Sequence, residues 1–246
     1  MATERELKYS TVDDHVPGTL ELQLALTGTG LSVLPGTVQR HVDVYHDADG
    51  RLASAGMALR IRRSTTGVKV TLKSDARVTG SDGGVLHERS ELEVPVGDPV
   101  DATSAGDEQR GAGTGTPPTW PESVRSSLPP GVVVERLAPV AELRVRRVAY
   151  LVVHGQDPNG AAPQLAELAF DEVTCVPPGS AEDAPAAAVF HEVEIEWLGE
   201  GDEFDQAAMD ALGTLAEAVG SVVELTASPA SKLDRALALL AALDPD

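Results

Sequence analysis

The sequence predicts a mainly β protein (α+β) in which antiparallel strands close into a barrel and helices pack outside it. Seven segments alternate charged and apolar residues with a period of two, the pattern of a strand whose two faces differ. Only three segments, 18–27, 203–219 and 229–243, have the leucine content, apolar spacing or start signals of helices. Seven antiparallel strands in an open sheet would leave unpaired edges, and closure into a barrel removes those edges.

The charged residues of each strand share one face, and the sign of the charge changes along the chain. In chain order these faces carry Glu4, Glu6 and Lys8; Arg60 and Arg62; Lys69, Thr71 and Lys73; Arg89, Glu91 and Glu93; Glu142, Arg144 and Arg146; Glu167 and Asp171; and Glu192, Glu194 and Glu196. Acids dominate the first and last strands, and bases dominate the middle ones. For a single strand, the simpler interpretation is that apolar residues face a core and charges face water, which would give a β-sandwich.

If the charged faces point into a barrel, they predict the kind of ligand that the barrel binds. So many buried charges cannot be desolvated unless a ligand or water compensates them. A multiply charged anion together with divalent metal satisfies both signs, because the cations bind phosphate oxygens and the carboxylates bind Mg²⁺ or Mn²⁺.

The composition excludes several classes of protein. Thirty-nine acidic against 19 basic residues give a formal charge of −20, which disfavours binding to nucleic acid or to an anionic membrane. The single cysteine, Cys175, excludes an intramolecular disulfide. The N-terminus is charged from its fourth residue, and no apolar run approaches the roughly 18 residues of a membrane span, so a cytoplasmic location is expected. Gly-, Pro- and Ala-rich stretches at about 97–119 and 177–188 predict a flexible insertion and a flexible loop.

A series of short motifs runs through nearly the whole chain. They are Glu4-x-Glu6-x-Lys8, DVYHDADGRLASAGMALRIRR at 43–63, VKVTLK ending at Lys73, RSELEV at 89–94, RVRRVAY at 144–150, Asp171, FHEVEIE at 190–196 and SKL at 231–233. In type and order they resemble the motifs of the CYTH superfamily, the triphosphate tunnel metalloenzymes. The basic strand offers three arginines, of which the alternation favours Arg144 and Arg146 over Arg147.

The resemblance implies one tunnel domain over residues 1–246, an eight-stranded antiparallel barrel that binds triphosphate compounds with Mg²⁺ or Mn²⁺. The alternation and the resemblance together suggest as phosphate-binding residues Lys8, Arg60, Arg62, Lys69, Lys73, Arg89, Arg144, Arg146 and Lys232. The implied metal ligands are Glu4, Glu6, Asp171, Glu192 and Glu194, with Glu91 and Glu93 in addition. Lys8, Glu4 and Glu6 are the expected catalytic residues, with Lys8 as a water-orienting group.

We therefore expect a metal-dependent hydrolase that removes the terminal phosphate of a triphosphate, with inorganic tripolyphosphate as the leading substrate. Its partner would be this small molecule, with no nucleic acid or membrane, and the protein would be a monomer or a homodimer. One alternative is a class IV-like adenylate cyclase that makes cAMP from ATP, although no adenine-reading motif is visible. A second is a non-catalytic module that binds polyphosphate or nucleotide, for which two carboxylate clusters would be superfluous.

Overall fold

The computed structural model describes residues 2–12, 14–74, 77–81, 84–97, 120–155, 162–181, 184–199 and 204–243 of the 246-residue chain. Its strands are β1 (Ala2–Thr11), β2 (Leu31–Val33), β3 (Thr37–Asp47), β4 (Ala58–Ser64), β5 (Gly67–Lys73), β6 (Arg77–Ser81), β7 (Gly84–Gly97), β8 (Ala138–His154), β9 (Gln164–Val176), β10 (Ala188–Trp197) and β11 (Thr226–Ala227). Its helices are α1 (Thr19–Ala25), α2 (Arg51–Ser54), α3 (Glu122–Arg125), α4 (Gln206–Gly220) and α5 (Lys232–Leu243), with a 3-10 helix at Val134–Arg136.

Both predicted loops fall between secondary-structure elements: the first between β7 and α3, and the second between β9 and β10. Of the predicted insertion at about 97–119, Gly97 ends β7, and 98–119 lie outside the described residues. The predicted loop at about 177–188 joins β9 to β10, and residues 182–183 within it are also outside the described part. The flexibility predicted for both segments stays a prediction.

Eight strands form a closed antiparallel barrel in the order β1-β10-β9-β8-β3-β4-β5-β7, and β7 pairs with β1 to complete the ring. Every pair in the ring is antiparallel. The shorter strands β2, β6 and β11 extend the sheet by pairing with β8, β7 and β1. The predicted fold class is therefore confirmed, and closure leaves none of the eight barrel strands as an edge.

The strand register brings the charged faces of neighbouring strands together. Lys8 on β1 lies opposite Glu194 on β10, and Glu4 on β1 lies opposite Arg89 on β7. On the next pair around the ring, Lys73 on β5 lies opposite Glu91 on β7. Because side chains alternate between the two faces of a strand, these pairings set one continuous charged surface inside the barrel.

The opposite strand faces are apolar and form the outer core. Helices α1 and α4 cover one side, where Leu22 and Leu215 join a cluster with strand residues such as Leu7 and Ile195. On another side, α2 and α3 cover Leu59, Ile61, Val70 and Leu72. Burial of apolar surface contributes roughly 25 cal/mol per Å² removed from water, so these helices stabilise the barrel from outside. No helix among the described residues is long and apolar enough to span a membrane.

The third predicted helix, α5, does not pack on the outer face of the barrel as α1 and α4 do. Its residues Leu233, Ala236 and Leu237 cluster with Leu143 and Val145 of β8 and with other apolar residues of β3, β9 and β10. By strand alternation, Leu143 and Val145 share a face with Arg147, which lines the central cavity. Helix α5 therefore covers part of the tunnel-facing surface, and the rest of that surface is left to the charges.

Candidate active site

The charged strand faces surround a cavity of about 550 Å³ inside the barrel. The lining residues are Ala2, Glu4, Lys8, Tyr45, Ala58, Arg60, Arg62, Lys73, Arg89, Glu91, Leu92, Glu93, Arg147, Glu194, Glu196, Ser231, Lys232 and Leu233. Most of them are charged, whereas a typical small-molecule pocket is largely apolar with a few polar groups. The cavity is suited to a ligand that carries several charges.

Lys8 lies between carboxylates of β1 and β10. Its Nζ is 3.2 Å from Oε1 of Glu6 and 3.0 Å from Oε1 of Glu194, and its side chain is 3% exposed. Burial alone would lower the pKa of Lys8, but Glu6 and Glu194 outweigh that effect and raise it. Lys8 is therefore charged at neutral pH, which suits binding of a phosphate or orientation of a water and does not suit a general base.

Lys232 enters the same group of carboxylates from the first turn of α5. The backbone N–H of Ser231 donates to Oδ2 of Asp234 at 3.0 Å, and the N–H of Asp234 donates to Oγ of Ser231 at 3.2 Å. This reciprocal cap fixes the start of the helix. Nζ of Lys232 then lies 3.0 Å from Oδ2 of Asp171 and 2.6 Å from Oε1 of Glu194. Burial would lower the pKa of Lys232, but the surrounding carboxylates raise it.

Glu4 is held by two cations from β5 and β7. Nζ of Lys73 lies 2.8 Å from both oxygens of Glu4, and Nε of Arg89 donates to Oε2 at 2.7 Å. Arg89 also donates to Glu6. Burial would raise the pKa of Glu4, but Lys73 and Arg89 lower it to about 2. The pKa of Lys73 is itself lowered, first by burial and then by the nearby Arg89 and Arg60.

Arg60 and Arg62 on β4 share one buried carboxylate that was not among the predicted site residues, Asp43 on β3. Arg62 donates to Asp43 through Nε and Nη2, both at 2.7 Å, and Arg60 donates through Nη1 at 3.2 Å. Burial would raise the pKa of Asp43, but the two arginines lower it well below its usual range. The alternation of Asp43 and Tyr45 with Val42 and Val44 is visible in the sequence and could have placed Asp43 on the tunnel face.

The orientation predicted for the basic strand β8 is corrected, because Arg147 faces the tunnel and Arg144 and Arg146 do not line it. Arg147 donates to both oxygens of Asp171 at 2.8 and 2.7 Å and to Glu194 at 2.5 Å. Arg144 instead contacts Glu142 and the carbonyl of residue 181. The alternation failed here because Leu143 and Val145 are tunnel-facing apolar residues covered by α5, so the apolar face of this segment is not the outer one.

Arg147 also reaches a second carboxylate on β9. Its Nη1 donates to Oε1 of Glu167 at 3.0 Å. Burial would lower the pKa of Arg147, but Asp171, Glu194 and Glu167 raise it well above its usual value. The charged face of β9 predicted from the alternation of Glu167 and Asp171 therefore meets Arg147.

One further predicted phosphate ligand lies away from the cavity. Lys69 pairs with Glu93 at 2.7 Å, and both side chains are more than a third exposed. Glu93 lines the cavity, but Lys69 does not. The cavity lining brings together most of the predicted set: Glu4, Lys8, Arg60, Arg62, Lys73, Arg89, Glu91, Glu93, Glu194 and Lys232. Glu6, Asp171 and Glu192 are buried beside these residues as ion-pair partners.

The surroundings of the β10 carboxylates show whether a divalent cation would fit beside them. Oε1 of Glu192 is buried and accepts no hydrogen bond, and burial raises the pKa of Glu192. Burial, Glu4 and Glu6 raise the pKa of Glu196 to about 8. In the described part of the chain, lysine and arginine lie among these groups, and no three acidic or histidine residues are arranged to hold a metal as they stand. Oε1 of Glu192 nevertheless lacks a hydrogen-bond donor, and the hard oxygens of these carboxylates suit Mg²⁺ or Mn²⁺.

The family follows from comparison with known proteins. The chain matches the CYTH domain over residues 2–224. It belongs to the CYTH family. Family members are triphosphatases or cyclases that act on small triphosphates and generally depend on a divalent metal. A search of the curated proteins found no match.

Several solved structures are similar to this chain at low sequence identity. A putative adenylyl cyclase from Hippeastrum, HpAC1, described as having a dominant triphosphatase activity, is 20% identical with a TM-score of 0.51, over 96% of this chain and 95% of that chain. The PH1819 protein from Pyrococcus horikoshii OT3 is 18% identical with a TM-score of 0.47, over 96% and 98%. A putative adenylate cyclase from Bacillus halodurans is 16% identical with a TM-score of 0.45, over 96% and 98%.

Proposed function

We propose that this CYTH protein is a divalent-metal-dependent triphosphatase that removes the terminal phosphate, and that inorganic tripolyphosphate is a sufficient substrate. The observation that carries the proposal is the arrangement of cations around the cavity. Arg60, Arg62 and Lys73 lie on β4 and β5, while Arg147 and Lys232 approach from β8 and α5. A chain of phosphates would contact both groups, and phosphate oxygens alone, without a nucleoside, satisfy these cations.

The cations would bind and align the phosphate chain. Arg60 and Arg62 are preoriented by Asp43, so their remaining N–H groups can donate to phosphate oxygens without a loss of side-chain order. Lys8 and Lys232 are held protonated by their carboxylate neighbours and would contribute charge near the transferred group. Phosphoryl transfer asks a protein mainly for such positioning and charge stabilisation.

The metal would be held by carboxylates of β1, β9 and β10, with Glu192 and Glu194 as its central ligands. A bound Mg²⁺ or Mn²⁺ supplies neutralisation of phosphate charge and a lower pKa for a coordinated water. Lys8 and Lys232 lie within 3.1 Å of carboxylate oxygens of this group and line the cavity, so their ammonium groups would donate to phosphate oxygens of a substrate bound there. A single domain over 1–246, a monomeric or homodimeric state and a cytoplasmic location stay predictions.

A product screen tests the proposal. Purified protein with Mg²⁺ or Mn²⁺ is given tripolyphosphate, ATP, thiamine triphosphate and pyrophosphate, and orthophosphate, pyrophosphate and cAMP are measured. Tripolyphosphate should be cleaved at least as efficiently as ATP, and pyrophosphate should be poor because it cannot contact both groups of cations. The release of cAMP and pyrophosphate from ATP, with no orthophosphate from tripolyphosphate, would establish a cyclase instead. Tight tripolyphosphate binding without turnover of any substrate would establish a binding module.

A further inference from the structure

Arg235 lies one turn after Lys232 on α5 and contacts the same carboxylate group. Its Nη1 donates to Oε2 of Glu192 at 3.0 Å and to the carbonyl of His191 at 3.3 Å. Its guanidinium carbon lies 4.1 Å from the ring centroid of Phe190, which is within cation–π distance. Arg235 does not line the cavity, and neither the sequence motifs nor the proposed mechanism gives it a role.

Glu192 is held asymmetrically by these contacts. Its side chain is fully buried, and Arg235 occupies Oε2. Oε1 accepts no well-aligned hydrogen bond, and its neighbours are Nζ of Lys232 at 3.1 Å and Nζ of Lys8 at 3.9 Å. One oxygen of Glu192 is therefore fixed by Arg235, and the other lies beside Lys8 and Lys232, which both line the cavity.

We propose that Arg235 is a positioning residue that makes Glu192 a one-oxygen metal ligand, by fixing Oε2 and directing Oε1 toward the tunnel. The inference rests on the proposed function, because it takes Glu192 as a metal ligand. A partner that orients a ligating carboxylate is a common feature of metal sites, and its loss typically weakens metal binding 10- to 100-fold.

The contacts of Arg235 combine one aromatic ring with two acceptors. Its Nη1 donates to both Glu192 and the carbonyl of His191, while its guanidinium carbon lies over the ring of Phe190. A lysine ammonium keeps the charge, but it is a compact point charge on a flexible stem and has no delocalised guanidinium to lie over the ring. Arg235→Lys therefore keeps the charge and changes the contacts that position Glu192. If that positioning matters, the variant should bind Mn²⁺ more weakly than the wild type.

The test is Mn²⁺ binding, measured by calorimetry on the full chain without substrate. The variants are Arg235→Gln, Arg235→Lys and Glu192→Gln, with Arg136→Gln as the matched loss of one positive charge. Arg136 is 66% exposed, and its one ion pair with a residue that the structure describes is with Asp49, at the surface. We expect Arg235→Gln to weaken Mn²⁺ binding roughly 10- to 100-fold, Arg235→Lys to weaken it at least about fivefold, and Arg136→Gln to bind as the wild type.

A second measurement excludes a general loss of structure. Tripolyphosphate affinity in EDTA should change less than about twofold in Arg235→Gln, because Arg235 is not part of the cavity wall. The thermal unfolding midpoint is recorded for each variant. If Arg235→Gln does not fold, Arg235→Lys carries the test, because it keeps the charge that compensates Glu192.

The outcomes separate the inference from the proposed function. If Glu192→Gln loses Mn²⁺ and both Arg235 variants bind it as tightly as the wild type or more tightly, the positioning role is overturned and the metal site stands. If Arg235→Lys binds as the wild type and only Arg235→Gln is weak, Arg235 acts by charge and not by position. If Glu192→Gln itself binds Mn²⁺ like the wild type, the proposed metal site is wrong.

Discussion

Replacement of Arg147 by Gln tests the corrected orientation of β8, with Arg146→Gln as the matched control on the neighbouring residue. Arg147 donates four hydrogen bonds to three carboxylates, Asp171, Glu194 and Glu167, and its side chain is 11% exposed. Arg146 makes no ion pair with any residue that the structure describes. The two substitutions are chemically identical, so any difference in stability or activity between the variants shows which of the two side chains faces the tunnel.

The size of the expected loss follows from what Arg147 leaves behind. Asp171 is fully buried, and removal of one partner of a buried ion pair costs about 3–5 kcal/mol because the remaining charge is uncompensated. Lys232 stays 3.0 Å from Asp171 and compensates part of that charge, so the cost should be near the lower limit, about 3 kcal/mol. Arg146→Gln should change the free energy of unfolding by less than about 0.5 kcal/mol.

Urea unfolding followed by tryptophan fluorescence measures the free energy, and phosphate release from tripolyphosphate measures the activity. We expect Arg147→Gln to shift the urea midpoint downward and to lose most of its activity at a temperature where it is still folded. Arg146→Gln should retain both. Equal losses in the two variants, or a larger loss in Arg146→Gln, would refute the orientation of β8 described above.

Two further predictions use other parts of the tunnel. In EDTA, the raised pKa of Glu196 means that the folded protein binds its proton more tightly than the unfolded chain, so stability falls as pH rises from about 4.5 to 8. At pH 9, the free energy of unfolding measured with urea should therefore be higher in Glu196→Gln than in the wild type, by on the order of 2 kcal/mol, and at pH 4 the two should be equal. Equal stability at pH 9 would contradict this. Arg62→Lys should lower kcat/KM for tripolyphosphate about tenfold, because the variant loses the guanidinium fork that contacts Asp43 and phosphate. Arg63 does not line the cavity, so kcat/KM of Arg63→Lys should stay within about twofold of the wild-type value. A comparable loss at Arg63 would show that β4 is turned the other way.

The sequence predicted the tunnel faces correctly where a strand has an apolar outer side and a charged inner side along its whole length. On β4, Leu59 and Ile61 pack outside under α2, and Arg60 and Arg62, which alternate with them, must face inward. The same reasoning succeeds for β1, β7 and β10 and for Lys73 on β5. It depends only on alternation, which is a local property of the chain.

Two features could not be predicted because they depend on contacts between distant segments. The inward direction of Leu143 and Val145 depends on the docking of α5, which lies about ninety residues later in the sequence. Alternation alone would place Asp43 on the tunnel face, but its role as the shared partner of Arg60 and Arg62 depends on β3 pairing with β4, which sets Asp43 opposite Arg62. A single sequence shows that these residues lie on strands, but it shows neither the register between strands nor which helix covers them.

The position of α5 also has a consequence for the electrostatics of the tunnel. By filling part of the tunnel-facing surface with Leu233, Ala236 and Leu237, α5 puts an apolar neighbourhood beside Lys232 and its carboxylates. Charges interact more strongly where water and its screening are excluded, and groups that are already fixed need no reorganisation when charge develops on a substrate. The same helix therefore supplies a cation, holds Glu192 through Arg235 and lowers the local dielectric. This combination explains why a basic residue on α5 should matter for metal binding although Arg235 never touches the cavity.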